Sequence, residues 1–280
     1  MSAPAWVRHV VDKAAPSLAT WHRRFRDKHT RRYQVASTTP WGFELYGDLG
    51  LATSRWQSNE ADQFEALVQE ADHVIDVGAN VGLFTLLAGS HGVPVTAIEP
   101  SPMNLVQLYR NLQLNGGEGV EVLPVAVGDS AGVVNLYGGG QGASLRTGWG
   151  GMVSTYTTTV AVHTLDGLSA DRLAGKRVVI KIDAEGSELP ILRGARRLMT
   201  AEPAPAWIVE VGLTENFNGG VNPDFKAIFD LFWAAGYTSF CVEVPGRQVR
   251  RADVDRWVAE RERGFWNMNY LFQRPTPSHS

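Results

Sequence analysis

The segment that most constrains the fold is residues 73–89 (HVIDVGANVGLFTLLAG), in which one short apolar run turns through glycines into another. Val74–Val77 has the composition of a buried strand, and Leu83 and Leu87 lie at helical spacing in the second run. A strand that turns into a helix over glycines, here Gly78–Gly82, lets another molecule approach the backbone and the helix N-terminus. The segment therefore predicts a strand–loop–helix unit, either with a ligand on its loop or as a plain turn in an α/β core.

Predicted strands and helices alternate along the chain, which is typical of a mainly parallel, doubly wound α/β sheet. Ligands of such sheets bind outside the carboxyl ends of the strands, so residues that end strands are candidates for a site. The last two predicted strands, in residues 237–244 and 265–274, have no predicted helix between them. We therefore expect an antiparallel C-terminal hairpin at one edge of the sheet.

The composition is that of an ordinary globular protein, because 44% of the 280 residues are hydrophobic and 20% are charged. Cys241 is the only cysteine, so no disulfide can form within the chain. No apolar run approaches the roughly 18 residues that span a bilayer, and no signal-peptide pattern opens the sequence. These features predict a cytoplasmic location.

Positive charge is concentrated at the start of the sequence. Residues 1–35 carry eight lysines and arginines against two aspartates, whereas the remainder carries 18 basic against 27 acidic residues. The same segment has apolar residues on roughly one face, with a break at Pro16 (Trp6, Val7, Val10, Val11, Leu18 and Trp21). We interpret it as a helical cap or a dimerisation arm, with peripheral membrane contact as the alternative. The acidic remainder argues against nucleic acid as a partner.

An acidic residue, Glu99, ends the predicted strand after the glycine loop. An acid at this distance, about twenty residues from the loop, hydrogen-bonds ribose hydroxyls on this type of sheet. A helix-capping acid beside Pro100 is the alternative. The loop reads Gly78-x-x-x-Gly82 rather than the G-x-G-x-x-G of dinucleotide-binding loops. This spacing argues against a pyrophosphate and suits a nucleoside with an amino-acid tail, namely S-adenosylmethionine.

Residues 180–195 (IKIDAEGSELPILRGA) contain four ionisable side chains where a predicted strand meets a helix, namely Lys181, Asp183, Glu185 and Glu188. Neighbouring carboxylates raise each other's pKa or bind a cation, and one of them can accept a proton from a substrate hydroxyl. For Glu188, a favourable charge at a helix N-terminus is the simpler interpretation. Asp183 and Glu185 are the candidate catalytic acids.

Two further chemistries stay open at these strand ends. His163, near the end of a predicted strand, is either a candidate base or a hydrogen-bonded histidine on an edge strand. A divalent cation such as Mg²⁺ between Asp183 and Glu210 could acidify a hydroxyl, although no ligand spacing in the sequence establishes such a site.

Six motifs occur in a fixed order along the chain: DVGANVGLFT, AIEPSP, PVAVGD, TLDGL, IKIDAEGSELPILRGA and WIVEVG. In that order and spacing they resemble the FkbM family of S-adenosylmethionine-dependent methyltransferases, and the resemblance covers roughly Trp41 to Arg274. It implies a class I methyltransferase-like (Rossmann-like) fold and O-methylation of a hydroxyl on a sugar or a secondary metabolite. The basic segment before Trp41 lies outside the shared pattern.

The resemblance also implies roles for individual residues. The cofactor is expected to contact Asp76, Gly78, Asn80 and Gly82, with Glu99 on the ribose and Val127 to Asp129 near the adenine. Asp183 and Glu185 are expected to face the reacting centre.

The substrate is expected to be a small molecule or glycan with a hydroxyl acceptor. Trp149, in the glycine-rich residues 138–151, and Trp266 with the adjacent Asn267 could stack on and hydrogen-bond a sugar, and Glu210 ends a neighbouring strand. Either tryptophan could equally be core. Arg146 could contact an acidic substrate group or be solvated, and its glycine-rich loop is the candidate mobile lid.

These observations divide the chain into a basic, partly helical arm (1–35), a methyltransferase domain (36–274) and a disordered tail (275–280). The predicted function is S-adenosylmethionine-dependent O-methylation. Two alternatives stay open, an NAD(P)-dependent oxidoreductase on a similar sheet and a non-catalytic scaffold that has kept the fold.

Deleting residues 1–35 is expected to leave S-adenosylmethionine binding intact, because every cofactor motif lies beyond Trp41. Calorimetric titration of the truncated and full chains would measure this. Loss of binding in a truncated protein that is soluble and folded would place the functional boundary earlier in the chain.

Overall fold

A computed structural model describes residues 36–46, 58–139, 142–149, 157–217 and 220–274. The predicted arm (1–35) and tail (275–280) lie outside these residues. No described helix is both long enough and apolar enough to cross a membrane.

The described residues form the following strands and helices, in chain order: β1 Ala36–Thr38, β2 Glu44–Tyr46, α1 Ser58–Val68, β3 His73–Val77, α2 Leu83–Ser90, β4 Val95–Ile98, α3 Pro102–Leu114, β5 Val120–Leu123, β6 Ala126–Val127, β7 Gly132–Tyr137, β8 Thr157–His163, α4 Leu165–Ser169, β9 Val178–Ile182, α5 Glu188–Arg193, α6 Arg196–Met199, β10 Ala206–Glu210, α7 Phe225–Ala234, β11 Thr238–Cys241, β12 Gln248–Val249, α8 Arg251–Glu260 and β13 Asn269–Gln273.

Eight strands form the main sheet, in the order β12-β11-β13-β10-β9-β3-β4-β5. The five strands from β5 to β10 are parallel. The chain runs outward from β3 through β4 to β5 and then returns to β9, so the strand order reverses between β3 and β9. This is the predicted mainly parallel, doubly wound, class I methyltransferase-like fold, and its ligand crevice is expected at the point of reversal.

Residues of the parallel strands alternate between two apolar layers, one on each face of the sheet. In β3, Ile75 and Val77 pack in one layer and Val74 in the other. The same alternation places Ile180 and Val179 of β9 in opposite layers. Strands β3, β4 and β9 are buried along their whole length. Their sequences are therefore mostly apolar rather than alternating, although Asp76, Thr96 and Lys181 are buried among the apolar residues.

The C-terminal strands differ from the predicted edge hairpin. Strand β13 lies inside the sheet, antiparallel to both β10 and β11, and β12 is the edge strand. Strands β11 and β13 pair antiparallel as predicted, but β12 and α8 lie between them in the chain. Helix α8 was not predicted, although its two buried residues, Val254 and Trp257, lie at helical spacing.

A second, three-stranded sheet has the order β6-β8-β7. Strands β7 and β8 lie on either side of the glycine-rich residues 138–151 in the chain. A bridge between Tyr137 and Ser144 continues β7 into that loop, so the described part of the loop is tied to this small sheet.

Candidate functional site

A cleft opens at the carboxyl ends of β3, β4 and β9. The small sheet and the glycine-rich segment also line it, through Leu136, Ala143 and Leu145. Of the residues expected in the site, the cleft brings together Gly78, Asn80, Glu99, Val127, Asp183 and Glu185.

The glycine loop after β3 has no room for a side chain at its first position. Gly78 has a φ of 82°, and a Cβ atom there would collide with the carbonyl oxygen of Asp183. The backbone N–H of Asp183 in turn donates to the carbonyl of Val77 at 3.0 Å. The glycine loop and the loop that carries Asp183 therefore touch through their backbones.

Asp76 and Gly82 were expected to contact the cofactor, but they do not line the cleft. The Asp76 carboxylate is buried and accepts a hydrogen bond from Thr85 Oγ1 at 2.6 Å, which ties β3 to α2 across the loop. Gly82 is the N-cap of α2, has a φ of 97° and packs closely against Leu108 of α3. Both residues stabilise the loop, and their contact with the cofactor stays a prediction from the sequence.

Glu99 directly follows β4, and both of its carboxylate oxygens accept hydrogen bonds. Its Oε2 accepts from the Asn80 backbone N–H at 2.8 Å, and its Oε1 accepts from the Ser101 N–H at 2.7 Å and from Asn104 Nδ2 at 3.2 Å. Burial raises the pKa of Glu99 to about 7, although these donors oppose the increase. The carboxylate is thus held in a fixed orientation in the cleft.

Two buried amide oxygens beside Glu99 have no hydrogen-bond partner among the described residues, namely Asn80 Oδ1 and Asn104 Oδ1. Both side chains line the cleft. Buried acceptors without a donor are costly, so this wall suits a ligand that brings hydrogen-bond donors. Sequence reasoning missed Asn104, although a polar residue in the first turn of the helix after the acid was a usable signal.

The small sheet places the remaining predicted residues differently. Val127 is buried and lines the cleft. Asp129 is exposed and accepts from Ser130 Oγ at 3.1 Å, and it does not line the cleft. His163 pairs with Val127 in the register of β6 and β8, but its side chain is exposed, because the alternation of β8 buries Val160 on the opposite face. The candidate base His163 is therefore not brought into the cleft.

Asp183 follows β9 and reaches the cleft with a half-exposed side chain, 36% accessible. The buried Lys181 ammonium lies 3.5 Å from Asp183 Oδ2 and 3.0 Å from Glu60 Oε1 of α1. Burial alone would lower the pKa of Lys181, but the charges of Glu60 and Asp183 raise it overall. A permanent positive charge therefore lies beside Asp183. Glu60 escaped sequence analysis because it is far from β9 in the chain.

The two other acids at these strand ends are held in the neutral form. Burial, and then the charge of Asp183, raises the pKa of Glu185 to about 8. Burial, with the charges of Asp183 and Glu185, raises the pKa of Glu210 well above its usual value.

The glycine-rich segment is tied to Glu185 twice. Ser144 Oγ donates to the Glu185 carbonyl at 2.7 Å, and Trp149 Nε1 donates to Glu185 Oε2 at 2.6 Å. The Trp149 ring meets Phe217 edge to face at 5.1 Å, and Arg146 forms an ion pair with Asp224. The described part of the predicted lid is therefore hydrogen-bonded to Glu185, and the indole N–H of Trp149 is already used in one of these hydrogen bonds.

Trp266 and Asn267 do not line the cleft. Trp266 is 43% exposed. Asn267 is fully buried, accepts from the Glu243 backbone N–H at 3.2 Å and donates to the Asn269 carbonyl at 2.9 Å. Asn267 therefore stabilises the chain before β13, and the predicted sugar-binding surface of Trp149 with Trp266 and Asn267 is not assembled.

Within the described ranges, no group of three or more histidine, cysteine, aspartate or glutamate side chains is arranged to hold a metal ion. A cation between Asp183 and Glu210 stays a prediction from the sequence.

The arrangement has two chemically distinct halves. One half presents an oriented carboxylate and free amide oxygens to a ligand with hydroxyl or amino donors. The other presents Asp183 beside the buried ammonium of Lys181, next to neutral Glu185, which can donate a hydrogen bond. Together they suit binding of a nucleoside and acceptance of a proton from a second molecule.

Comparison with protein families matches residues 76–239 to the methyltransferase FkbM domain. No curated protein matches the chain.

Solved structures with a similar fold include an S-adenosylmethionine-dependent methyltransferase from Agrobacterium tumefaciens, at 11% identity and a TM-score of 0.45, over 86% of this chain and 70% of that one. A precorrin-6y C5,15-methyltransferase from Geobacter metallireducens aligns at 10% identity and a TM-score of 0.40, over 77% of this chain and 86% of that one. A ribosomal protein L11 methylase from Lactobacillus delbrueckii subsp. bulgaricus aligns at 13% identity and a TM-score of 0.40, over 78% and 79% respectively.

Proposed function

Because this chain belongs to the FkbM methyltransferase family, we propose that it is an O-methyltransferase that acts on a hydroxyl of a sugar or a secondary metabolite. The methyl donor is S-adenosylmethionine. The observation that carries the proposal is that Glu99 and Asp183, which follow two different strands, line the same cleft. Glu99 is the acid expected to bind the ribose, and Asp183 is the acid expected to face the acceptor.

The residues of the cleft fit this cofactor. Glu99 can accept a hydrogen bond from a ribose hydroxyl at Oε2, since this oxygen has two lone-pair directions and the Asn80 N–H occupies one of them. The free Oδ1 atoms of Asn80 and Asn104 offer acceptors to the other donors of a nucleoside or an amino acid. The backbone at Gly78 has no Cβ, and Val127 and Leu145 supply apolar surface for a base.

When bound, S-adenosylmethionine supplies a methyl group that its sulfonium has already activated. The protein's contribution is then to align the acceptor and to remove its proton. Asp183 is the group placed to take that proton from the acceptor hydroxyl as the new C–O bond forms. The buried ammonium of Lys181 lies 3.5 Å from the carboxylate of Asp183 and orients it in the cleft.

Neutral Glu185, which lines the cleft, supports the choice of a hydroxylated acceptor. A protonated carboxyl group donates one hydrogen bond and accepts others, which matches the donor and acceptor pattern of a hydroxyl. The half-buried rings of Trp149 and Phe217 adjoin Glu185, so an apolar face lies beside these polar groups. A ring that carries hydroxyl groups has both kinds of surface.

The test has two steps. Calorimetric titration should show binding of S-adenosylmethionine and none of NAD, which separates the proposal from the oxidoreductase alternative. Methyl transfer should then be screened over sugar and polyketide hydroxyls, with amine and thiol acceptors as controls. Binding without turnover on any acceptor would favour a non-catalytic scaffold, and turnover on amines alone would contradict O-methylation.

Affinity for S-adenosylmethionine is expected to decrease as the pH is lowered from 8 to 6. Glu99 has a pKa of about 7 in the free protein, and ribose hydroxyls donate to its ionised form. Below pH 7 the carboxyl group must lose a proton on binding, so affinity at pH 6 should be roughly tenfold weaker than at pH 8. Titration calorimetry across this range measures the effect. The Glu99→Gln variant should show a flat profile, and a flat profile in the wild type would contradict the assignment.

A further inference from the structure

Helix α3 carries most of the large hydrophobic side chains that are exposed among the described residues. Six large hydrophobic side chains are exposed among the described residues, and four of them belong to this helix: Met103, Val106, Tyr109 and Leu114. Val106 is 70% exposed. Single exposed apolar residues are ordinary, but a contiguous group of them marks an interaction surface.

These four side chains share one side of the helix. Met103, Val106 and Tyr109 follow each other at intervals of three, and Leu114 lies eight residues after Val106, so all four project from about the same third of the helix. The buried residues Asn104, Leu108 and Asn111 occupy the other side. We call the group Met103, Val106, Tyr109 and Leu114 the α3 face.

The chain that precedes residue 36 begins next to this face. Ala36 pairs with Tyr46 in the β1–β2 register, and the guanidinium of Arg110 lies 3.3 Å from the centre of the Tyr46 ring. Arg110 is one turn after Val106 on the same side of α3. Tyr46 is also fastened to α3 by Asn111, which accepts from its backbone N–H at 2.6 Å. Residues 1–35 therefore enter the described domain beside the α3 face.

The sequence of residues 1–35 is complementary to this face. It has an apolar side that includes Leu18, Trp21 and Phe25, at helical spacing. Helix α3 has no acidic residue, so its surface offers apolar contact rather than ion pairs to a segment that carries eight basic residues. A segment docked through its apolar side would keep Arg23 and Arg26 in solvent, since at helical spacing these residues lie away from Leu18, Trp21 and Phe25.

We propose that the α3 face is the docking site for residues 1–35 of the same chain, which cover it with their apolar side. The surface is thereby closed by the chain's own N-terminal segment, and the basic side of that segment becomes part of the outer surface of the protein. This proposal does not depend on the methyltransferase reaction.

Limited proteolysis of the full chain tests the proposal. Trypsin cleaves after lysine and arginine, and residues 23–32 contain six such sites. In the double variant Val106→Asp/Tyr109→Asp, cleavage in this segment should become at least about tenfold faster, since two apolar contacts are lost. The matched control is Val133→Asp on β7, where the wild-type residue is 76% exposed but lies outside the α3 face, and its cleavage rate should equal that of the wild type.

Thermal melting and S-adenosylmethionine binding should be the same in the wild type, the α3 variant and the Val133→Asp variant, which shows that the variants are folded. Trp21→Asp should accelerate cleavage as much as the α3 variant does. Equal cleavage rates in the wild type and the α3 variant would overturn the proposal.

Two further measurements test other occupants of the α3 face. If the wild type is a dimer and the α3 variant is a monomer, a second copy of the chain covers the face and the proposal is overturned. Binding of the wild type to phosphatidylserine vesicles that the α3 variant loses would also overturn it, in favour of a membrane surface.

Discussion

Replacing Asp183 by asparagine is expected to lower turnover by about two orders of magnitude or more, with S-adenosylmethionine affinity unchanged. The substitution nearly preserves shape but removes the proton acceptor beside Lys181. Glu185 and Glu210 cannot replace it at neutral pH, because burial and the charges around them hold both in the neutral form. Steady-state kinetics with the acceptor found by screening measures the loss, and calorimetry checks the cofactor.

Asp129→Asn is the matched control for this prediction. Asp129 is an exposed aspartate outside the cleft, so its variant should keep the wild-type rate. A wild-type rate in Asp183→Asn would contradict the assigned role.

Chelation distinguishes the two ways in which Asp183 could act. A direct base should be indifferent to EDTA, whereas a metal ligand should lose activity and regain it with added magnesium or manganese. We expect indifference, because the ammonium of Lys181 already supplies a positive charge beside the carboxylate.

Replacing Glu99 by alanine is expected to weaken S-adenosylmethionine binding by roughly 2–3 kcal/mol, the magnitude of hydrogen bonds to a charged group. The variant loses the acceptor for the ribose hydroxyls. It also leaves the backbone N–H groups of Asn80 and Ser101 without the partner that fixes the glycine loop. Calorimetry measures the affinity, and a thermal melt shows whether the variant is folded.

Glu118→Ala is the control for Glu99, since Glu118 is an exposed acid outside the cleft. Its affinity for the cofactor should match that of the wild type. Unchanged affinity in a folded Glu99→Ala protein would remove Glu99 from the cofactor site.

The sequence was sufficient to predict the parts of the site that depend on one strand and the loop after it. Gly78, Glu99 and Asp183 each follow an apolar run directly, and the alternation of strands and helices brings such strand ends to one edge. The burial of these runs also follows from their mostly apolar sequence.

The remaining features depend on contacts between residues far apart in the chain, which no local pattern encodes. Lys181 meets Glu60, and Glu185 meets Trp149, through the packing of separate elements. His163 illustrates the converse error, because its chemistry suited catalysis but the alternation of β8 turns it to solvent. The position of β13 could not be predicted either, because strand order is decided by pairing partners and not by the strand itself.

The inserted position of β13 has a consequence for synthesis on the ribosome. Strands β10 and β11 each pair with β13, so neither has its full set of native neighbours until residues 269–273 have been translated and released from the exit tunnel. Until then a nascent chain carries two unpaired strand borders in the middle of its sheet, the situation in which edge-to-edge association occurs. Completion of the sheet therefore follows the translation of β13, because this strand joins β10 and β11 into one continuous sheet.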